Sequence, residues 1–102
     1  MMNKRIGKII HVYQRIGVAV VCLEEPVQVG DTILILGHTT DLVQEITSME
    51  VNHTKILSAG CGAVIAIQVD QPVRKGDEVF WISREEAEKH LMSEKIAFSP
   101  GG

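Results

Sequence analysis

A nine-residue pattern that occurs twice constrains this chain more than any other feature. Glu25-Pro26-Val27-Gln28-Val29-Gly30-Asp31-Thr32-Ile33 returns as Gln71-Pro72-Val73-Arg74-Lys75-Gly76-Asp77-Glu78-Val79. In each copy an apolar run enters Pro-Val, and Gly-Asp then supplies a tight turn. Glycine suits the turn because it adopts positive φ without a steric penalty, and aspartate because its short carboxylate reaches nearby backbone N–H groups. Gly30, Asp31, Gly76 and Asp77 are therefore expected to be structural turn residues. No histidine or cysteine stands at a shared spacing with the two aspartates, so they are not read as a catalytic pair. Two similar halves favour a pseudo-symmetric barrel of interleaved strands, an arrangement that removes sheet edges.

The rest of the chain fits that frame. Between Arg5 and Ser83 the apolar residues come in short Val- and Ile-rich runs separated by glycine, proline or charge. Strands are expected near Ile6–Val12, Gly17–Leu23, Thr32–Leu36, Leu42–Val51, Ala63–Val69 and Glu78–Ser83. The predicted fold is all-β, a small closed six-stranded barrel of Greek-key type with a short C-terminal α-helix. Runs such as Val18-Ala19-Val20-Val21-Cys22-Leu23 are apolar on both alternating faces, so a second face must be covered, by the helix or by a partner. Ser83-Arg84-Glu85-Glu86 has the Ser-x-x-Glu spacing of a capping box and opens the helix. Ala87, Leu91, Met92 and Ile96 form its apolar side. The expected division is a barrel over residues 1–83, a helix packed on or near it over 84–96, and a flexible tail over 97–102.

With 102 residues the chain has room for one core. Its formal charge of −3, from 10 basic and 13 acidic residues, provides no global field for nucleic acid or an anionic membrane. Lys4, Arg5, Lys8 and Arg15 all precede the first acidic residue, Glu24, so any basic face would be local. Cys22 and Cys61 lie far apart without a CxxC, which points to reduced thiols and to neither zinc nor a disulfide framework. No stretch approaches the ~20 apolar residues of a membrane span, and the start of the chain lacks the apolar core of a secretion signal. A cytoplasmic location without membrane attachment is expected.

Several short motifs carry a family resemblance. They are Gly7-Lys8-Ile9, Gly17-Val18-Ala19, Val29-Gly30-Asp31, Gly37, Val43 to Met49, Gly62 and Arg74-Lys75-Gly76-Asp77. Over Arg5 to Ile82 these resemble the β-barrel second domain of elongation factor Tu and related GTPases. With Gly37-His38-Thr39-Thr40-Asp41 they also resemble small stand-alone proteins described as translation elongation factor-like. The module is similar, too, to the C-terminal domain of a collagenase-type peptidase-like family. The first resemblance implies a non-enzymatic binding module that engages RNA, either transfer or ribosomal, or a translation-associated ribonucleoprotein. Its alternative is a protein-interaction module, a homodimer or the detached partner of a larger enzyme. The Gly-x-x-x-x-Gly-Lys-Ser/Thr phosphate loop is missing, so GTP is not an expected ligand, and neither is any cofactor or metal.

The candidate RNA-facing cluster is Lys8, Tyr13 and Arg15, where an aromatic ring among cations could stack on a base. His38 joins it as the best loop candidate, because polar loops on a rigid barrel reach ligands readily. Adjacent Phe80 and Trp81 must point to opposite faces of a strand, one into the core and one toward the helix or a partner.

Overall fold

The computed structural model describes residues 4 to 98, with side chains described through residue 92. Its elements in chain order are β1 (Lys4–Tyr13), a 3-10 turn (Gln14–Ile16), β2 (Val18–Leu23), β3 (Val27–Gln28), β4 (Thr32–Leu36), β5 (Asp41–Glu45), β6 (Met49–Val51), β7 (Thr54–Ile56), β8 (Ser58–Ala59), β9 (Val64–Gln68), β10 (Glu78–Trp81) and α1 (Arg84–Phe98). Eight strands form one antiparallel sheet in the order β5-β4-β10-β1-β2-β9-β6-β7, while β3 and β8 pair separately. The fold is β-dominated with a C-terminal helix, as expected. The closed six-stranded barrel is not what forms: the sheet is an open half-barrel with β5 and β7 at its edges.

Backbone competition explains the difference. The expected single strand Leu42–Val51 is split because Ile46 bonds elsewhere. The Gly30 N–H donates to the Ile46 carbonyl and the Ile46 N–H donates to the Asp31 carbonyl, both at 2.8 Å. The second turn treats Ile9 identically, through Gly76 and Asp77, also at 2.8 Å. Inside each turn the aspartate closes a ring. The Gln28 N–H donates to the Asp31 carboxylate at 2.9 Å, and the Arg74 N–H to the Asp77 carboxylate at 2.8 Å. Gly30 at φ 100° and Gly76 at φ 95° occupy conformations that a side chain would oppose. The repeat is thus a pair of clips, each gripping the backbone of one buried isoleucine.

The open seam is bridged by a side chain in place of a strand ladder. Gln44, 5% exposed, donates from Nε2 to the Gln68 carbonyl at 2.9 Å and accepts at Oε1 from the Asp70 N–H at 2.8 Å. A buried amide of this kind persists because both of its ends are satisfied. Gly37 is also required by a close approach, since a Cβ there would run into the Asp77 carboxylate.

Ile9, Val21, Ile33, Ile35, Ile65 and Ile67 lead the main core on the concave side. A second, smaller cluster lies on the other side of β4, where Leu34, Ile82 and Ala87 are buried and Leu36, Val43 and Phe80 pack on them. Phe80 thus faces the helix cluster while Trp81 packs on the main core. The helix is started by Ser83, whose hydroxyl accepts from the Glu86 N–H at 3.0 Å, and is tied to β5 by His90 Nε2 and Asp41 Oδ1 at 2.7 Å. Of its expected apolar side, Ala87 is buried while Leu91 and Met92 are exposed. The side chain of Ile96 and residues 99–102 of the expected tail lie outside the described residues.

Two substitutions test this account. Gln44→Leu leaves two backbone groups at the seam without partners and is expected to lower unfolding free energy by about 2–4 kcal/mol. Asp77→Ala, at the buried clip, is expected to cost about 2 kcal/mol, against about 1 kcal/mol for Asp31→Ala at the more exposed one. Urea titration of the three variants reads both orders, and a Gln44→Leu protein as stable as the parent would show that the seam bonds contribute nothing.

Candidate functional site: a cleft between two hairpins

The outer face of the sheet is the informative one. On β2 the residues alternate, with Ala19, Val21 and Leu23 buried and Val18, Val20 and Cys22 half-buried on the opposite side. On β9 the outward positions are Val64, Ala66 and Gln68. Cross-strand register assembles these into rows. The longest runs through His11, Val20, Ala66, Glu50 and Lys55 across β1, β2, β9, β6 and β7. On one side of it lies Tyr13–Val18–Gln68, and on the other Lys8–Cys22–Val64. The middle of this face is apolar and its margins are charged. The helix does not cover it, because α1 packs over β4.

Two hairpin ends rise beside the face. The β1–β2 connection is a 3-10 turn closed by Gly17 at φ 65°, and it carries Ile16 at 66% exposure. A register shift between Ile9 and His11 leaves Ile10 outside the ladder and exposed. The His11 ring meets Tyr13 edge-on with centroids 4.5 Å apart, which orients the phenol. The β6–β7 hairpin turns through Asn52 at φ 50° and His53 at φ 66°. Two consecutive left-handed residues make the type I′ connection that matches strand twist, with histidine in a place that favours glycine. Between the hairpins lies a cleft of about 550 Å3, lined by Tyr13, Ile16 and Val18 on one side, Glu50, His53 and Lys55 on the other, and Ala66 in its floor.

Two of the four N-terminal basic residues are neutralised by acids. Arg5 is held by Glu24 at 2.6 Å and Glu78 at 2.8 Å, and Lys4 by Glu25 at 3.3 Å. The hydrogen bonds that Arg5 donates to Glu24, and then to Glu78, raise its pKa above the ordinary value. Lys8 and Tyr13 share the outer face of β1, and Arg15 follows in the 3-10 turn. The β4–β5 loop, which carries His38, shares a small recess with Gln14 of that turn. His38 stands beside Thr39, whose hydroxyl accepts from Arg74 at 2.9 Å. Glu50, His53, Lys55 and Ala66 were not singled out as site residues from sequence. The only local signal was a polar Asn-His pair between Val51 and Thr54, too short a flank to mark a hairpin. Among the described residues, no group of three His, Cys, Asp or Glu side chains could hold a metal, and no helix is long and apolar enough to cross a membrane.

Comparison with solved structures places the architecture. The chain superposes on the C-terminal domain of a Geobacillus thermoleovorans protein provisionally assigned as a U32 peptidase, with TM-score 0.74 and 14% identity over 78% of this chain and 93% of that one. The fold is shared with that domain. A selenomethionine variant of the same domain gives TM-score 0.71 and 15% identity over 74% of this chain and 96% of the other. In sequence, the chain is 37% identical over 76 residues to an uncharacterized protease of Methanocaldococcus jannaschii. That match covers 74% of this chain but 19% of the relative, so the chain spans about a fifth of the length of the curated protein it matches. No protein-family model matches the chain.

These findings correct the functional expectations. The resemblance to the second domain of elongation factor Tu and to elongation factor-like proteins gives way to peptidase relatives, and with it goes the RNA-binding translation module. The structure keeps Lys8 and Tyr13 on one face of β1 with Arg15 in the adjoining turn, while Lys4 and Arg5 are held in ion pairs. The non-enzymatic expectation is overturned as well, since the sequence relative is named a protease. Protein association gains no specific support from the same comparisons. The resemblance to a peptidase-type C-terminal domain is the one they favour.

The hairpin geometry yields a prediction. His53→Gly removes a left-handed β-substituted residue and is expected to raise unfolding free energy by about 1 kcal/mol, read by urea titration. An unchanged or lower value would mean that the His53 side chain contributes native contacts that offset its backbone strain.

Proposed function

We propose that this chain acts in peptide-bond hydrolysis, in the role of a U32-type peptidase C-terminal domain. The observation that carries the reading is that two separate likenesses each span about three quarters of the chain. The 37% identity to a protein named a protease covers 74% of the chain, and the fold likeness to an isolated peptidase C-terminal domain covers 78%. Sequence identity at that level over that length supports more than shared architecture. The remaining four fifths of the archaeal relative have no counterpart in the match, so the division of labour proposed is between this domain type and a separate catalytic region. A cytoplasmic setting suits two free thiols, Cys22 half-buried and Cys61 exposed.

A chimera tests the reading. The matched segment of the archaeal relative is replaced by this chain, and cleavage of unfolded casein is compared with the intact relative and with a version lacking the segment. Restoration to within about threefold of the intact rate, where the truncated version has lost at least tenfold, is the expected result. A folded chimera no better than the truncated protein would overturn it.

A further inference from the structure

We propose that the cleft between the β1–β2 and β6–β7 hairpins binds a polypeptide segment in extended form, seating an apolar side chain at Tyr13, Ile16 and Val18 and, two residues on, a basic side chain at Glu50. The inference rests on the peptidase reading only for the source of the peptide. Its geometry stands alone.

Register supplies the first argument. The rows through Tyr13–Val18–Gln68 and His11–Val20–Ala66–Glu50–Lys55 are two residues apart along the strands. An extended peptide laid along β9 repeats its same-face side chains at the same two-residue period, about 6.6–6.8 Å. Successive same-face side chains therefore meet successive rows. Ala66 is the smallest outward residue of its row, so the floor dips there, and the cleft of about 550 Å3 falls in the size range of ligand sites, roughly 300–1,000 Å3.

Chemistry supplies the second argument. Tyr13, 51% exposed, and Ile16, 66% exposed, leave apolar surface open at one end of the cleft. Glu50 is half-buried on the outer face next to Ala66, and its cross-strand partner is Lys55. No ion pair or hydrogen bond of the Glu50 carboxylate is found among the described residues. A half-buried carboxylate beside apolar surface favours a cationic visitor that also has a nonpolar stem, which a lysine or arginine side chain provides. His53 at the rim holds its left-handed backbone at a cost in strain, a feature that clusters at ligand clamps.

The test uses the purified chain and a fluorescein-labelled decapeptide of serines carrying Leu at position 5 and Lys at position 7. Fluorescence polarisation is expected to give saturable binding that falls at least tenfold with Ala66→Leu, which fills the floor. Glu50→Gln is expected to weaken this peptide about fivefold and to leave a Leu-only peptide unchanged. Amide cross-peaks of Tyr13, Ile16, Glu50, Lys55 and Ala66 should move on titration. Absence of binding up to 1 mM, equal affinity for Ala66→Leu in a variant that folds by circular dichroism, or shifts confined to another surface each overturn the inference. Peptide binding with an inactive chimera sinks the peptidase reading and leaves the cleft. An active chimera without peptide binding does the reverse.

Discussion

The pair of aspartate clips holds the rest of this structure in place. Each clip is a glycine in a positive-φ conformation followed by an aspartate that ties its own turn, and each presents one N–H and one carbonyl to a single isoleucine in the core. Ile9 and Ile46 are therefore fixed twice, by burial and by backbone bonds. Because Ile46 is taken by the first clip, the chain cannot continue as one long strand from Leu42 to Val51. It breaks into β5 and β6 and then turns back at Asn52 and His53. The short hairpin that walls the candidate cleft is thus a consequence of a turn remote from it in sequence.

The second constraint is the need to shield both faces of the most apolar strands. On β4 the helix meets that need, with Ala87 set over Leu34 and Ile82. On β2 and β9 no element of the described chain does. Burying such a surface contributes about 25 cal/mol per Å2, so an outward stripe of valine and alanine is a standing drive toward association with apolar groups. The small residue at Ala66, between the valines and Glu50, converts part of that stripe from a flat patch into a recess with a charged margin.

Much of this was legible in the chain itself. The Gly-Asp repeat marked both clips, Ser83 marked the helix start, and the Phe80-Trp81 pair announced two differently covered faces. What misled was the step from scaffold to activity. Gly-Asp turns and two-faced valine strands specify a barrel-like frame that unrelated functions share, so likeness to a translation-factor barrel carried no information about a site. The N-terminal basic residues misled for a related reason. Lys4 and Arg5 are paired with Glu25, Glu24 and Glu78, so packing between strands neutralises two of the four cations that a linear reading groups together.

The sequence by itself determined the local chemistry: where glycine permits a left-handed turn, where aspartate can close it, where apolar alternation demands a strand and where a capping serine starts a helix. These depend on interactions within a few residues and are written in composition and spacing. Only the tertiary structure decided the open seam and the cleft. Gln44 reaches Gln68 and Asp70, 24 and 26 residues away, and Glu50 stands in one row with Ala66, Val20 and His11 through pairings between separate strands. A shift of one residue in any of those pairings turns the side chains to the opposite face. Register is a property of the whole folded sheet, and no single strand carries it.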